Sequence, residues 1–100
     1  MSFHHSASNI RVEEGHILVA DLENGESRIN LDDFIGNSNG NFEWGGVNFS
    51  GSAEDIRFEL EGDGQPILRA RLGDVDGNFH DRDINLSERI GNDNGNLSFN

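Results

Sequence analysis

The sixteen residues INLDDFIGNSNGNFEW, positions 29 to 44, return as INLSERIGNDNGNLSF at positions 84 to 99, with nine of the sixteen identical. A repeat at about half the chain length requires two similar units, and any fold must accommodate both. The unit openings repeat as well: FHHSASNIRVE (3 to 13) matches FSGSAEDIRFE (49 to 59) at its Phe, Ser, Ala, Ile and Arg positions. Tandem repeats therefore run over 3–44 and 49–99, joined by GGVN at 45–48, which reads as a flexible hinge.

Each copy of the doubled block has a physical reading. Ile29, Leu31 and Ile35, like Ile84, Leu86 and Ile90, are apolar anchors around a short polar segment. LDDFI and LSERI suit a single helical or 3-10 turn, with Asn30 and Asn85 placed to cap its free N–H groups. Asn39-Gly40 and Asn94-Gly95 then signal tight hairpins, because a type I′ turn needs positive φ at both central residues.

Elsewhere the apolar residues alternate. Ile56, Phe58 and Leu60 interleave with Arg57, Glu59 and Glu61, a strand with one wet face, and Ile10 and Val12 follow the same pattern. In PILRARL (66 to 72), Arg69 and Arg71 must face water, so Leu68, Ala70 and Leu72 face the core. By analogy Leu18, Ala20 and Leu22 of HILVADL are the buried set, leaving Ile17 and Val19 on the less buried face. ENGESR (23 to 28) reads as a short loop, and GDVDGNFHDRD (73 to 83) as a longer one containing its own hairpin around Asp76-Gly77. No helical period is sustained anywhere, so the fold class is all-β.

Nineteen acidic residues against seven basic ones give a formal charge of −12, a field that repels phosphate backbones and anionic lipid surfaces. Nucleic acid and membrane partners are excluded on that ground; a neutral polar ligand, a cation or a basic partner is not. No cysteine is present, so disulfides and thiolate metal sites are ruled out. The residues after Met1 carry no apolar signal core, which makes a cytoplasmic location the simplest expectation.

Few residues invite chemistry. DVDGN (74 to 78) has the start of a calcium loop but lacks the third ligand before its glycine and the closing glutamate. His4, His5, His16 and His80 show no zinc spacing. Asp32/Asp33 and Asp81/Asp83 are neighbouring acids of short turns, not carboxyls opposed across a cleft. The chain is read as non-enzymatic, with no cofactor and no metal. Asn48-Phe49-Ser50 and Asn96-Leu97-Ser98 are glycosylation sequons. Trp44 could stack on a sugar, but its place between Phe42 and Phe49 favours a core reading. Turn chemistry accounts for Asn39 and Asn94, but less well for Asn37 and Asn92, whose amides can donate and accept as vicinal sugar hydroxyls require.

The doubled INLxxxIGNxNGxLxF block, the FxxSAxxIR openings and the WGGxNF junction together resemble the cyanovirin-N homology lectins, particularly fungal members, over residues 3 to 99. The resemblance implies a single domain over 1–100 with pseudo-two-fold symmetry. Each lobe combines a three-stranded sheet from one repeat with the hairpin of the other, lobe A being about 1–33 plus 89–100 and lobe B about 34–88. It also implies binding of mannose-rich oligosaccharides. By position, the lobe B site would comprise Asn37, Asn39, Asn48, Ser52, Asp74, Val75 and Asp76. A weaker lobe A site would comprise His5, Ser6, Glu23, Asn92, Asp93 and Asn94. The shorter 24–28 loop makes lobe B the expected main site; the alternative is a scaffold of this fold that serves a protein partner or a weak cation site. Ala7 with Leu22, and Ala53 with Leu72, stand where the family's disulfides would be, and Gly36, Gly73, Val75 and Gly77 replace polar side chains. A monomer is expected, with a domain-swapped dimer as the alternative.

Overall fold

A computed structural model describes Phe3, residues 6–62 and residues 64–99. Two antiparallel sheets dominate: β1 (Ser8–Glu13), β2 (Ile17–Leu22) and β3 (Gly25–Asn30) form one, while β6 (Ala53–Glu61), β7 (Gln65–Gly73) and β8 (Phe79–Asn85) form the other. Two hairpins complete the fold, β4 (Ile35–Ser38) with β5 (Asn41–Trp44) and β9 (Ile90–Asp93) with β10 (Asn96–Phe99). Each hairpin docks on the sheet of the opposite repeat. The backbone N–H of Leu97 in β10 donates to the Ser27 hydroxyl of β3 at 3.0 Å, and Arg82 of β8 donates to the Gly40 carbonyl between β4 and β5 at 2.9 Å.

Single 3-10 turns, Leu31–Asp33 and Leu86–Glu88, precede the hairpins. Their caps form as the sequence requires: Asn30 and Asn85 accept the N–H groups of Asp32 and Ser87 through their side-chain oxygens. Positive φ at Asn39 and Gly40 (50° and 90°), and at Asn94 and Gly95 (54° and 92°), makes both tight turns type I′. Leu18, Leu31, Ile35, Phe49, Leu68, Leu86 and Ile90 are fully buried in one continuous core. Ala53 pairs directly with Leu72 across β6 and β7, a small apolar residue opposite a large one.

Four expectations are corrected. Val19 is completely buried, not half-wet. Its cross-strand neighbours are Arg11 and Arg28, which close a four-membered ion-pair ring with Glu13 and Glu26 at 2.7–3.1 Å. The aliphatic stems of that ring roof the valine over. Arg69, at the equivalent place in lobe B, is instead ringed by Glu59, Glu61 and Asp83. Leu60 is 52% exposed because the β6–β7 hairpin outruns the core. Residues 25–28 are strand, not loop: only Glu23 and Asn24 turn between β2 and β3, against Asp74 to Asn78 between β7 and β8.

The junction between the repeats is the fourth correction, because it is pinned. Gly45 N–H bonds to Phe34 O at 2.7 Å, and Asn48 N–H bonds to Asp32 O at 2.8 Å. Gly36 and Gly46 touch backbone to backbone: a Cβ on Gly36 would lie 2.9 Å from Val47 N, and one on Gly46 would lie 2.8 Å from Gly36 Cα. Only glycine fits this crossing. Gly36→Ala should therefore cost about 1–3 kcal/mol by overpacking. Gly51→Ala, where a Cβ meets nothing within 4 Å, should stay within about 0.5 kcal/mol. Urea midpoints at unchanged slope measure both, and equal midpoints would refute the pinned crossing.

Candidate functional site

At the outer edge of lobe B, three segments meet: the β4–β5 tip, the 3-10 turn Phe49–Ser52 and the five-residue turn after β7. Asn37 joins them. Its Oδ1 accepts the Gly40 N–H at 2.8 Å, while its Nδ2 donates to Ser52 Oγ at 2.8 Å and to Gly73 O at 2.9 Å. Both amide donors are spent inside the protein, so Asn37 is a latch and not the outward hydroxyl-reading group expected from the sequence.

Asp74 likewise faces inward. One carboxylate oxygen accepts the N–H groups of Asp76 and Asn78, each at 2.9 Å, and the other meets His80 Nε2 at 2.8 Å. The hydrogen bond from His80, followed by that from the Asn78 backbone, holds the Asp74 carboxyl below its ordinary pKa. Its role is to shape the turn, which also answers the calcium-loop reading: the acid that would lead the loop is consumed by it. His80 in turn packs against Gly40, where an added Cβ would lie 2.8 Å from the imidazole.

Several polar groups remain turned outward. Asn39 accepts the Val75 N–H at 3.0 Å through Oδ1, which leaves its Nδ2 facing solvent. Asn48 adopts left-handed backbone at φ 60° and its exposed side chain makes no capping bond. Ser52, having accepted from Asn37, retains its own proton. Val75, 84% exposed, and Asp76 stand at the turn tip. The edge is thus a shallow rim of amides, a hydroxyl and the Asp76 carboxylate around the exposed Val75 side chain.

Lobe A repeats the latch with different surroundings. Asn92 Oδ1 accepts the Gly95 N–H at 2.7 Å, and its Nδ2 donates to Ser6 Oγ at 3.0 Å and Glu23 Oε1 at 3.3 Å. Asn24 Nδ2 donates to Asn94 O at 2.8 Å, and the Asn24 side chain covers Gly95. The two-residue turn therefore closes onto the hairpin instead of standing off it. Ser6, Glu23, Asn92 and Asn94 are brought together, with Asp93 exposed beside them; His5 lies outside the described residues. Asn24, His80 and Arg82 were missed as parts of these edges. Only their place beside a turn or on a strand marked them; Asn24 and Arg82 bond to the other repeat, and His80, paired with Asp74 of its own repeat, packs against Gly40 of the other.

Residues 3–98 match the CVNH domain. The chain belongs to the CVNH family. The NMR structure of the Gibberella zeae CVNH protein is 52% identical, covers 97% of this chain and 95% of its own, and superposes with a TM-score of 0.91. The microvirin:mannobiose complex (27% identical; 99% and 98% covered) gives 0.86. A MoCVNH3 variant in complex with (N-GlcNAc)4 (25% identical; 98% and 96% covered) gives 0.82.

The turn of this CVNH protein has a pH signature. Because the folded-state pKa of Asp74 lies below the usual value near 3.8, its bonds stabilise the turn above that value and are lost as pH falls through the lower folded pKa. An NMR titration should place the Asp74 midpoint below that of an ordinary Asp, with the Asp76 and Asn78 amides moving in step. His80→Ala should raise the midpoint; no change would refute the pairing.

Proposed function

We propose that this protein is a non-enzymatic lectin that binds mannose-rich glycans, mainly through the lobe B edge, and acts as a monomer. The observation that carries the choice of edge is the contrast between the two turns. In lobe B the five-residue turn at 74–78 is bridged to the hairpin tip by Asn39, whose amide donor stays unspent, and Asn48, Ser52, Val75 and Asp76 are exposed. In lobe A the turn has only two residues, and Asn24 spends its amide on the Asn94 carbonyl. A shallow site of amides, a hydroxyl and one carboxylate suits vicinal sugar hydroxyls, which donate and accept in turn, while Val75 offers an apolar contact for a sugar C–H face. The mannobiose complex of a protein with the same fold supports the sugar class.

Titration of a dimannoside into labelled protein tests this reading. The amides of Asn39, Asn48, Val75 and Asp76 should shift before those of Ser6, Glu23 and Asn94. Asn39→Asp keeps the acceptor for the Val75 N–H but removes the outward donor. It should weaken binding about five- to tenfold, the effect of one hydrogen bond of roughly 1 kcal/mol. The reverse order of shifts would move the site to lobe A. A response to N-acetylglucosamine oligomers but not to dimannoside would overturn the sugar assignment, and no response to either would remove the lectin reading.

A further inference from the structure

The opposite edge of the lobe B hairpin carries a recess that shares no residue with the turn site. A cleft of about 390 Å³ opens between β5 and β8, floored by Phe42, Trp44, Ile67 and Ile84. Its rim carries Asn41, Arg82, Asp83 and Glu88.

Divergence between the repeats accounts for it. Aligning the doubled blocks places Arg82 where lobe A has Ser27, and Phe42 where it has Leu97. In lobe A the Ser27 hydroxyl binds the Leu97 N–H directly, and Leu97 is only 7% exposed. In lobe B, Arg82 reaches along the hairpin to the Gly40 carbonyl, and Phe42 stays half-buried. The hairpin is held at its tip instead of at mid-strand, and the recess lies beneath that attachment.

The charges of the rim select the occupant. Arg82 bonds to the backbone carbonyls of Gly40 and Asp81, so its positive charge faces the cleft without a carboxylate partner among the described residues. Across from it, Glu88 accepts the Trp44 indole N–H at 3.3 Å, and Asp83 is 62% exposed while bonded to Arg69. A bare cation would meet Arg82, and a bare anion would meet two carboxylates. A neutral polyhydroxyl compound can use donors and acceptors of both signs. The aromatic floor adds a demand for an apolar face, which a pyranose ring supplies through its C–H groups. The volume falls in the range of small-ligand pockets.

We propose that this cleft is a second saccharide subsite, which takes one neutral pyranose residue with its C–H face on Phe42 and Trp44 and its hydroxyls on Asn41, Arg82 and Glu88. It stands independently of the turn site, and the two fail separately. Trp44 is the sole tryptophan, so its indole N–H resonance reports on the cleft alone. Methyl α-mannoside, methyl α-glucoside and N-acetylglucosamine are titrated singly into labelled protein. At least one should move the indole signal and the Ile84 and Asn85 amides along one saturable curve, unchanged in Asn39→Asp. Asn41→Ala and Glu88→Ala, both at exposed positions, should each weaken that curve about five- to tenfold, the loss of one hydrogen bond. Movement of the indole with the 74–78 turn silent supports the cleft and leaves the turn site to its own dimannoside titration. An indole that no sugar moves, one whose response disappears in Asn39→Asp, or one indifferent to both rim substitutions overturns the proposal.

Discussion

Two asparagine side chains hold the exchanged hairpins in place. Asn37 and Asn92 each accept the N–H of their own turn glycine and donate both amide hydrogens to the opposite repeat: to Ser52 and Gly73 in one lobe, to Ser6 and Glu23 in the other. One planar group thereby fixes the turn and docks it. Exposed hydrogen bonds of this kind are individually worth only about 1 kcal/mol. Their value here lies in register: they set how far each hairpin slides along a sheet to which it is joined by little regular ladder pairing.

That docking is possible because the repeats cross closely. Gly36 and Gly46 touch through their backbones, and the aromatic rings of Phe34, Trp44 and Phe99 gather beside the crossing, with Phe34 stacked on Phe99 at 4.8 Å and Arg89 over Phe99 at 5.1 Å. Phe34 and Arg89 occupy equivalent positions in the two repeats, as do Trp44 and Phe99. The pair of repeats thus supplies a ring–ring stack and a cation over a ring from positions that symmetry alone would make identical. Departure from symmetry also separates the sheet faces, where Val19 under its ion-pair ring corresponds to Arg69 among three carboxylates. The edges diverge for the same reason. A two-residue turn lets Asn24 bond to the lobe A hairpin, whereas in lobe B five residues shaped by Asp74 meet the hairpin through Asn39.

Much of this was legible in the chain itself. The doubled block, with its Asn caps and Asn-Gly turns, determined the 3-10 turns, both type I′ hairpins and the all-β class, since those depend on local φ preferences and on side chains bonding two residues away. Alternation in PILRARL located the inner face of β7, and by analogy that of β2. Tertiary structure alone decided the rest. Whether Asn37 faces a ligand or a neighbour depends on where Ser52 and Gly73 lie, fifteen and thirty-six residues on. Val19 is buried because arginines from two flanking strands happen to bridge over it, and the 45–48 junction is rigid because a distant glycine permits contact. The cleft beside Trp44 lies where Arg82 and Phe42 stand in place of the Ser27 and Leu97 of lobe A. Local sequence encodes what a residue can bond to within a turn; which groups remain unspent for a ligand is set by contacts between segments far apart in the chain.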